Sequence, residues 1–309
     1  MSLSELSRRS FIAGAAALGA GALLPEGARA ASPVERVHGP YMKLSLAAYS
    51  FHRMLPNRAP AEEYAKADMN LEDFVRYCAE LNLDGCEPTS YYFPAEVTPE
   101  YLLQLKQLTF RLGLDISGTA IGNNFCVPEG PIREEELRMT REWIDHAALL
   151  GAPVIRIFAG EVPEGDTEDA ALERCISAIN ESLDYAAQKG VVLALENHGG
   201  ITATGEHMLR IIKGVKESPW FGVNFDGGNF HTPDPYADMA QIAPYTVNAQ
   251  IKVSVQPNGK KEPADFARVA RILQDAGYRG YLVLEYEDDE NPKEAIPRHI
   301  DTLRKIIGR

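Results

Sequence analysis

From about residue 42 to the C-terminus, short runs of aliphatic and β-branched residues alternate with longer amphipathic segments, and no break in composition interrupts the series. The strand-like runs are Met42–Tyr49, Gly85–Glu87, Asp115–Ala120, Pro153–Phe158, Val191–Glu196, Phe221–Phe225, Val247–Val253 and Tyr281–Glu285. Between and after them, helices are expected over Asn70–Leu81 with Asn70 as N-cap, Tyr101–Gly113, Glu134–Leu150, Thr167–Lys189, Thr204–Lys216, Pro263–Ala276 and Pro292–Ile307. Gly151, Gly190 and Gly277 stand where three of these helices stop. Strands separated by helical crossovers form a parallel sheet, and eight of them close most simply into a (β/α)₈ barrel, an α/β fold in one domain. An open doubly wound sheet would carry a Gly-rich phosphate loop after its first strand, and this chain has Ser50-Phe51-His52-Arg53 there.

A barrel takes about 250 residues, and the chain has 309. The surplus lies at the N-terminus. Ser7-Arg8-Arg9-Ser10-Phe11-Ile12 precedes an apolar Ala/Gly-rich run to Leu24, followed by Ala28-Arg29-Ala30, a small-x-small cleavage pattern. The run is too short to span a bilayer and too Gly-rich for a stable helix. Residues 1–30 resemble a twin-arginine export signal, residues 31–40 read as a linker, and 41–309 as the barrel. The resemblance implies an exported, periplasmic protein that crosses the membrane already folded and keeps no membrane attachment once the signal is removed.

The formal net charge of the whole chain is −13, and loss of residues 1–30 removes three arginines and two glutamates, leaving −14. Such a surface repels phosphate backbones and anionic lipids, which disfavours nucleic acid and membrane partners and leaves neutral or cationic small molecules. A homo-oligomer is compatible with it. The four cysteines, Cys78, Cys86, Cys126 and Cys175, show no zinc spacing. Cys78, Cys86 and Cys175 lie in apolar stretches and read as buried free thiols.

Barrel enzymes collect their chemistry at the C-terminal ends of the strands. Here the fifth strand ends Leu195-Glu196-Asn197-His198, the sixth Phe225-Asp226-Gly227-Gly228-Asn229, and the eighth Leu284-Glu285-Tyr286-Glu287. In the seventh, Val247, Ala249, Ile251 and Val253 alternate with Asn248, Gln250, Lys252 and Ser254. With the apolar set packed outward on helices, the polar set faces the barrel axis. Buried polar side chains need partners, and Glu196, Asp226 and Glu285 converging on one cavity would repel one another unless a cation joined them. Arg156 shares parity with Val154 and Phe158 and would point inward to hold a substrate oxygen. His52, His198 and Lys252 are further substrate-binding candidates, and Phe51, Tyr91, Phe125 and Phe158 offer faces on which a substrate can stack.

Together these four strand-end segments resemble the signatures of the xylose isomerase-like barrel superfamily, in particular its sugar isomerase/epimerase branch, and the likeness runs from about Leu44 onward. The resemblance implies one divalent metal held by Glu196, Asp226, Gln250 and Glu285. Relatives usually show His-x-Lys-Asp on the seventh strand, whereas this chain has Gln250-Ile251-Lys252-Val253. Glutamine keeps the ligand neutral and offers a carbonyl oxygen, so the donor set favours Mn²⁺ or Mg²⁺ while remaining compatible with Zn²⁺, Co²⁺ or Fe²⁺. The implied activity is sugar isomerisation or epimerisation by proton abstraction next to a carbonyl through an enediolate, with Glu196 and Glu285 exchanging the proton. Two other readings compete: a metal-dependent lyase that eliminates a β-substituent from keto-sugars or keto-glycosides, and a non-catalytic exported sugar-binding protein.

Overall fold

Asn70 begins the helix after the first barrel strand as its spacing predicts: its side chain accepts from the Asp73 amide while Asp73 accepts from the Asn70 amide. Thr98, Thr167, Thr204, Asp234 and Asp265 cap later helices with a side-chain oxygen that accepts from an amide of the first turn. The structure is a computed structural model and describes residues 30–309, so the leader up to residue 29 lies outside the described residues.

The chain runs β1 (Tyr41–Leu46), α1 (Ala61–Tyr64), α2 (Leu71–Glu80), β2 (Gly85–Cys86), α3 (Pro99–Arg111), β3 (Asp115–Ile116), β4 (Thr119–Ala120), α4 (Pro131–Leu150), β5 (Val154–Ile157) and α5 (Glu168–Lys189). It continues β6 (Val192–Glu196), α6 (Gly205–Gly214), β7 (Phe221–Asp226), α7 (Pro235–Ile242), β8 (Thr246–Lys252), β9 (Ser254–Val255), β10 (Glu262–Pro263), α8 (Phe266–Asp275), β11 (Arg279–Glu285) and α9 (Pro292–Ile306).

Seven strands form one parallel sheet in the order β1-β11-β8-β7-β6-β5-β4. The ring closes through β2 and β3, which pair in parallel. Glu87 N donates to Leu46 O and Ala48 N to Glu87 O, both at 2.9 Å, stitching β2 to β1. β3 and β4 are two halves of the expected third strand, interrupted at Ser117-Gly118. A Cβ on Gly118 would stand 2.9 Å from Val154 Cγ1 and 3.3 Å from Glu87 Oε1, so the break is where the backbone makes room for a buried glutamate.

Helices cover the outside, burying Leu105, Ile144, Ile179, Met208, Met239, Leu273 and Ile300 against the sheet. Each such side chain contributes about 1.5–3 kcal/mol relative to exposure. Helix α7 falls in a stretch that pattern alone left unassigned, although Asp234 as cap and Pro235 at the first position mark its start. Helix α8 begins three residues later than expected, because Glu262–Pro263 pairs with Ser254–Val255 and Asp265 supplies the cap. Residues 31–40 lie against the barrel floor: Ala31 N donates to Val215 O at 3.0 Å, and the Arg36 guanidinium donates to Thr246 O at 2.6 Å and Ala276 O at 3.1 Å. All four cysteines are buried and free. No helix among the described residues is long and apolar enough to cross a membrane.

Candidate active site at the C-terminal mouth of the barrel

Glu196 ends β6, Asp226 ends β7, Lys252 ends β8 and Glu285 ends β11, so parallel pairing in register brings the four to one end of the barrel. All are buried, as are Arg156 on β5 and Gln250 on β8. Asn248, Gln250 and Lys252 face inward together, as the period of two predicts.

Each carboxylate has a definite partner. Arg156 Nε lies 2.8 Å from Glu196 Oε2, a charge contact too oblique to count as a hydrogen bond. The Asn229 amide donates to Glu196 Oε1 at 3.0 Å and the Asn224 amide to Glu196 Oε2 at 3.3 Å. Asp226 Oδ1 accepts from the backbone amides of Gly228 and Asn229 at 2.8 and 2.9 Å, in a turn where a Cβ on Gly228 would stand 2.7 Å from Lys252 Cγ and 2.8 Å from Ser254 O. Its other oxygen, Oδ2, is buried without a hydrogen bond. The Lys252 ammonium stands 2.7 Å from Glu285 Oε2, 2.8 Å from Glu287 Oε2 and 3.5 Å from Asp226 Oδ2.

Below these groups lies a residue that strand-end reasoning passed over. Glu87 follows β2, is fully buried, and accepts from Gln250 Nε2 at 2.7 Å and Asn248 Nδ2 at 2.9 Å. Asn224 Nδ2 donates to Gln250 Oε1 at 2.7 Å, and Asn224 Oδ1 accepts from Asn248 at 2.9 Å. Glu87, Gln250, Asn224 and Asn248 thus form a closed ring of hydrogen bonds. The sequence signals were present but short: β2 has only two residues from which to read a period, and Asn224 shares parity with Asp226.

Burial sets the protonation energetics. It pushes the Glu87, Glu196 and Asp226 carboxyls each up to about 7, partly opposed by the amides around Glu87, by Arg156 at Glu196 and by Lys252 at Asp226. Burial acts to lower Arg156 and Lys252, and the neighbouring carboxylates outweigh it, holding both cations above their usual values.

Four buried carboxylates, Glu87, Glu196, Asp226 and Glu285, face two buried cations, Arg156 and Lys252. The deficit of two positive charges and the unpartnered Asp226 oxygen fit one divalent cation held by Glu196, Asp226 and Glu285. With the side chains as they stand, no three His, Cys, Asp or Glu residues among the described residues cluster tightly enough to hold an ion. Lys252 occupies the space between Asp226 and Glu285, and Gln250 gives its oxygen to Asn224.

The remaining candidates lie at the rim. His198 packs on Phe158 with ring centroids 4.3 Å apart, and the Arg156 guanidinium lies 3.8 Å from the same Phe158 centroid. His52 stacks on Tyr49 at 5.2 Å, and Tyr49 lies 6.0 Å from the Lys252 ammonium. The four side chains singled out in the sequence therefore lie around the mouth, with Arg156 engaged by Glu196 and Lys252 by three carboxylates.

Comparison with known proteins agrees with this architecture. Among relatives, a probable endonuclease 4 of Methanoculleus marisnigri is 28% identical over 107 residues, covering 33% of this chain and 38% of that protein. A putative hydroxypyruvate isomerase of Xenopus laevis is 30% identical over 206 residues, 58% of this chain and 72% of the relative. Among solved structures, D-psicose 3-epimerase of Clostridium cellulolyticum H10, with D-tagatose, superposes with a TM-score of 0.67 at 16% identity over 86% of this chain and 99% of its own. A xylose isomerase-like TIM barrel protein from Mycobacterium smegmatis in complex with magnesium gives 0.66 at 18% identity over 86% and 96%. The description of the twin-arginine translocation pathway signal sequence matches residues 5–25, so the chain carries an export signal for that route. The family model that spans residues 75–306 covers all three strand-end acids, and by it the chain belongs to the xylose isomerase-like TIM barrel family.

Proposed function

We propose that the protein is an exported, periplasmic sugar isomerase or epimerase that moves a proton next to a carbonyl. The observation that carries the reading is the pairing of two buried glutamates, Glu196 and Glu285, each set beside its own cation, with Asp226 between them in the chain's sheet order. A divalent ion, Mn²⁺ or Mg²⁺ by the hardness of the oxygen donors, held by Glu196, Asp226 and Glu285 with Gln250 as fourth ligand, would supply Lewis acidity to a carbonyl and an adjacent hydroxyl of the sugar. The names of the similar epimerase and isomerase, and the magnesium complex of the third protein, support substrate class and ion.

The chain's own residues do the rest. Glu196 and Glu285, buried at the ends of β6 and β11, are the two carboxyl groups placed to exchange a proton with substrate. Arg156 and Asn229 hold Glu196 in place, and Lys252 does the same for Glu285. One carboxylate would take the proton from the hydroxyl-bearing carbon next to the carbonyl, and a carboxyl group would return it to the opposite face of that carbon, giving the epimer, or to the former carbonyl carbon with the hydroxyl proton passing to the other oxygen, giving the isomer. His52 and His198 at the rim, with Arg156 and Lys252 inside it, orient the sugar oxygens.

Incubation of the Mn²⁺-loaded protein in D₂O with a panel of ketoses and hydroxypyruvate tests this. Deuterium at the carbon next to the carbonyl and appearance of the isomer are expected, each reduced roughly 10²–10⁴-fold by Glu285→Gln. Absence of exchange with every substrate, or exchange unchanged in the variant, overturns it. Release of a substituent instead of an isomer marks the β-eliminating alternative, and binding without exchange marks the sugar-binding one.

A further inference from the structure

We propose that the cleft beside Phe158 and His198 is a subsite for a second sugar ring, so that the substrate is a glycosylated ketose rather than a free monosaccharide. This rests on the isomerase reading and narrows its substrate class.

The cleft lies at the mouth, between the segments that follow β4, β5 and β6, and has a volume of about 390 Å³. Small-molecule sites run from about 300 to 1,000 Å³, mostly with aromatic walls and a few polar groups. Its aromatic wall is fixed rather than incidental. The Asn123 side chain bonds both backbone groups of Phe158, donating to its carbonyl at 2.7 Å and accepting from its amide at 2.9 Å. Two glycines share the lining: Gly160, with φ +103°, has the Asn124 side chain packed where a Cβ would stand, and Gly200 has φ +49°. A ligand in the cleft would meet the Phe158 ring together with the Asn124 and His198 side chains.

Contacts lead from this cleft to the reacting centre. Arg156 touches Glu196 through Nε and packs on Phe158 through its guanidinium. Phe158 lines the cleft and Arg156 bridges it to Glu196, so these two side chains form the boundary shared by the cleft and the acid-lined centre. The lining favours a sugar over a wholly apolar group, because the C–H face of a pyranose suits Phe158 while the Asn124 amide nitrogen and the His198 imidazole offer polar groups around its edge.

The probes are fructose and a galactosyl-fructose disaccharide, titrated calorimetrically into the Mn²⁺-loaded protein and its variants. The disaccharide is expected to bind about tenfold more tightly than fructose. Phe158→Ala removes the stacking face. Because it also touches Arg156, a second variant, Glu161→Trp, fills the cleft from its outer lip without contacting that arginine. Both are expected to bring the disaccharide down to the affinity of fructose, with fructose itself shifted less than twofold in Glu161→Trp. Equal affinities in the unaltered protein, or equal losses for both sugars in Glu161→Trp, overturn the subsite. If fructose binds and exchanges its proton but the second ring adds nothing, the subsite falls and the isomerase reading stands. If neither sugar binds, both fall.

Discussion

Gln250 Nε2 and Glu87 Oε2 stand 2.7 Å apart across the barrel interior, joining β8 to the end of β2. Both Glu87 oxygens receive N–H groups, from Gln250 and Asn248, and accepting at both oxygens fixes which way each amide points. With Nε2 committed to Glu87, Gln250 turns its oxygen toward Asn224, and Asn224 in turn aims its amide at Glu196. A glutamate with no exposure thereby sets the sense of every amide in the ring and the donor that Glu196 sees.

That directionality gives the first expectation. Glu87→Gln keeps the shape but adds a donor facing other donors, so it should weaken Mn²⁺ binding roughly 10–100-fold, the usual scale for outer partners of metal ligands. Glu87→Asp should recover part of the loss. Metal titration by calorimetry decides it, and an affinity for Glu87→Gln equal to the unaltered protein's would remove Glu87 from any orienting role.

The pH dependence of stability has an unusual sign. Glu87, Glu196 and Asp226 are each pushed from ordinary carboxylate values up to about 7 by burial. Between those values the folded protein binds more protons than the unfolded chain, so metal-free stability should fall as pH rises from about 4 to 7 and level off above. A bound divalent ion favours the ionised carboxylates and should flatten or reverse the slope. Thermal unfolding of the metal-stripped protein at pH 5 and pH 7.5, with and without Mn²⁺, measures this. A metal-free protein more stable at pH 7.5 would contradict the burial argument.

Much of this site is legible in the residues themselves. The alternation in β8 placed Asn248, Gln250 and Lys252 on the axis, because seven residues give enough repeats to read a period of two. Strand ends named Glu196, Asp226 and Glu285 because each apolar run stops at an acid. Glu87 escaped because Gly85–Cys86 is too short to show a period, and its role exists only through partners more than 160 residues away. Pairing is likewise invisible in one dimension. Arg156 reads as a free substrate anchor in sequence, and only the β5–β6 register sets it against Glu196.

Lys252 provides a further test. Its ammonium holds Glu285, Glu287 and Asp226 apart from one another's charge. Lys252→Met leaves buried acids uncompensated, and breaking a buried pair costs about 3–5 kcal/mol. Urea unfolding of the metal-free variant should show a loss of that order, with added Mn²⁺ restoring more stability than it adds to the unaltered protein. An unchanged midpoint would mean that the acids take up protons instead of relying on the lysine.

Export can be tested apart from chemistry. A reporter fused to residues 1–35 should leave the cytoplasm only through the twin-arginine route, and Arg8→Lys with Arg9→Lys should strand it inside. Fractionation of cells with and without that machinery reads the result, and equal export of the double variant would show that another route carries the chain.

Gln250 is where family pattern and this sequence part. Its oxygen is bonded to Asn224 and its nitrogen to Glu87, so acting as a metal ligand requires the oxygen to exchange Asn224 for the ion while Glu87 keeps hold of the nitrogen. A set of carboxylate and amide oxygens favours Mn²⁺ or Mg²⁺. Gln250→His brings in an imidazole nitrogen and should move preference toward Zn²⁺, Co²⁺ and Ni²⁺. Gln250→Leu should weaken every metal and also strand Glu87 with one donor fewer, costing about 1–3 kcal/mol in stability. Competition titrations on the three proteins separate the roles. Should all three bind the same ions equally while Gln250→Leu is still destabilised, the glutamine serves the hydrogen-bonded ring alone, and the three carboxylates hold the ion without it.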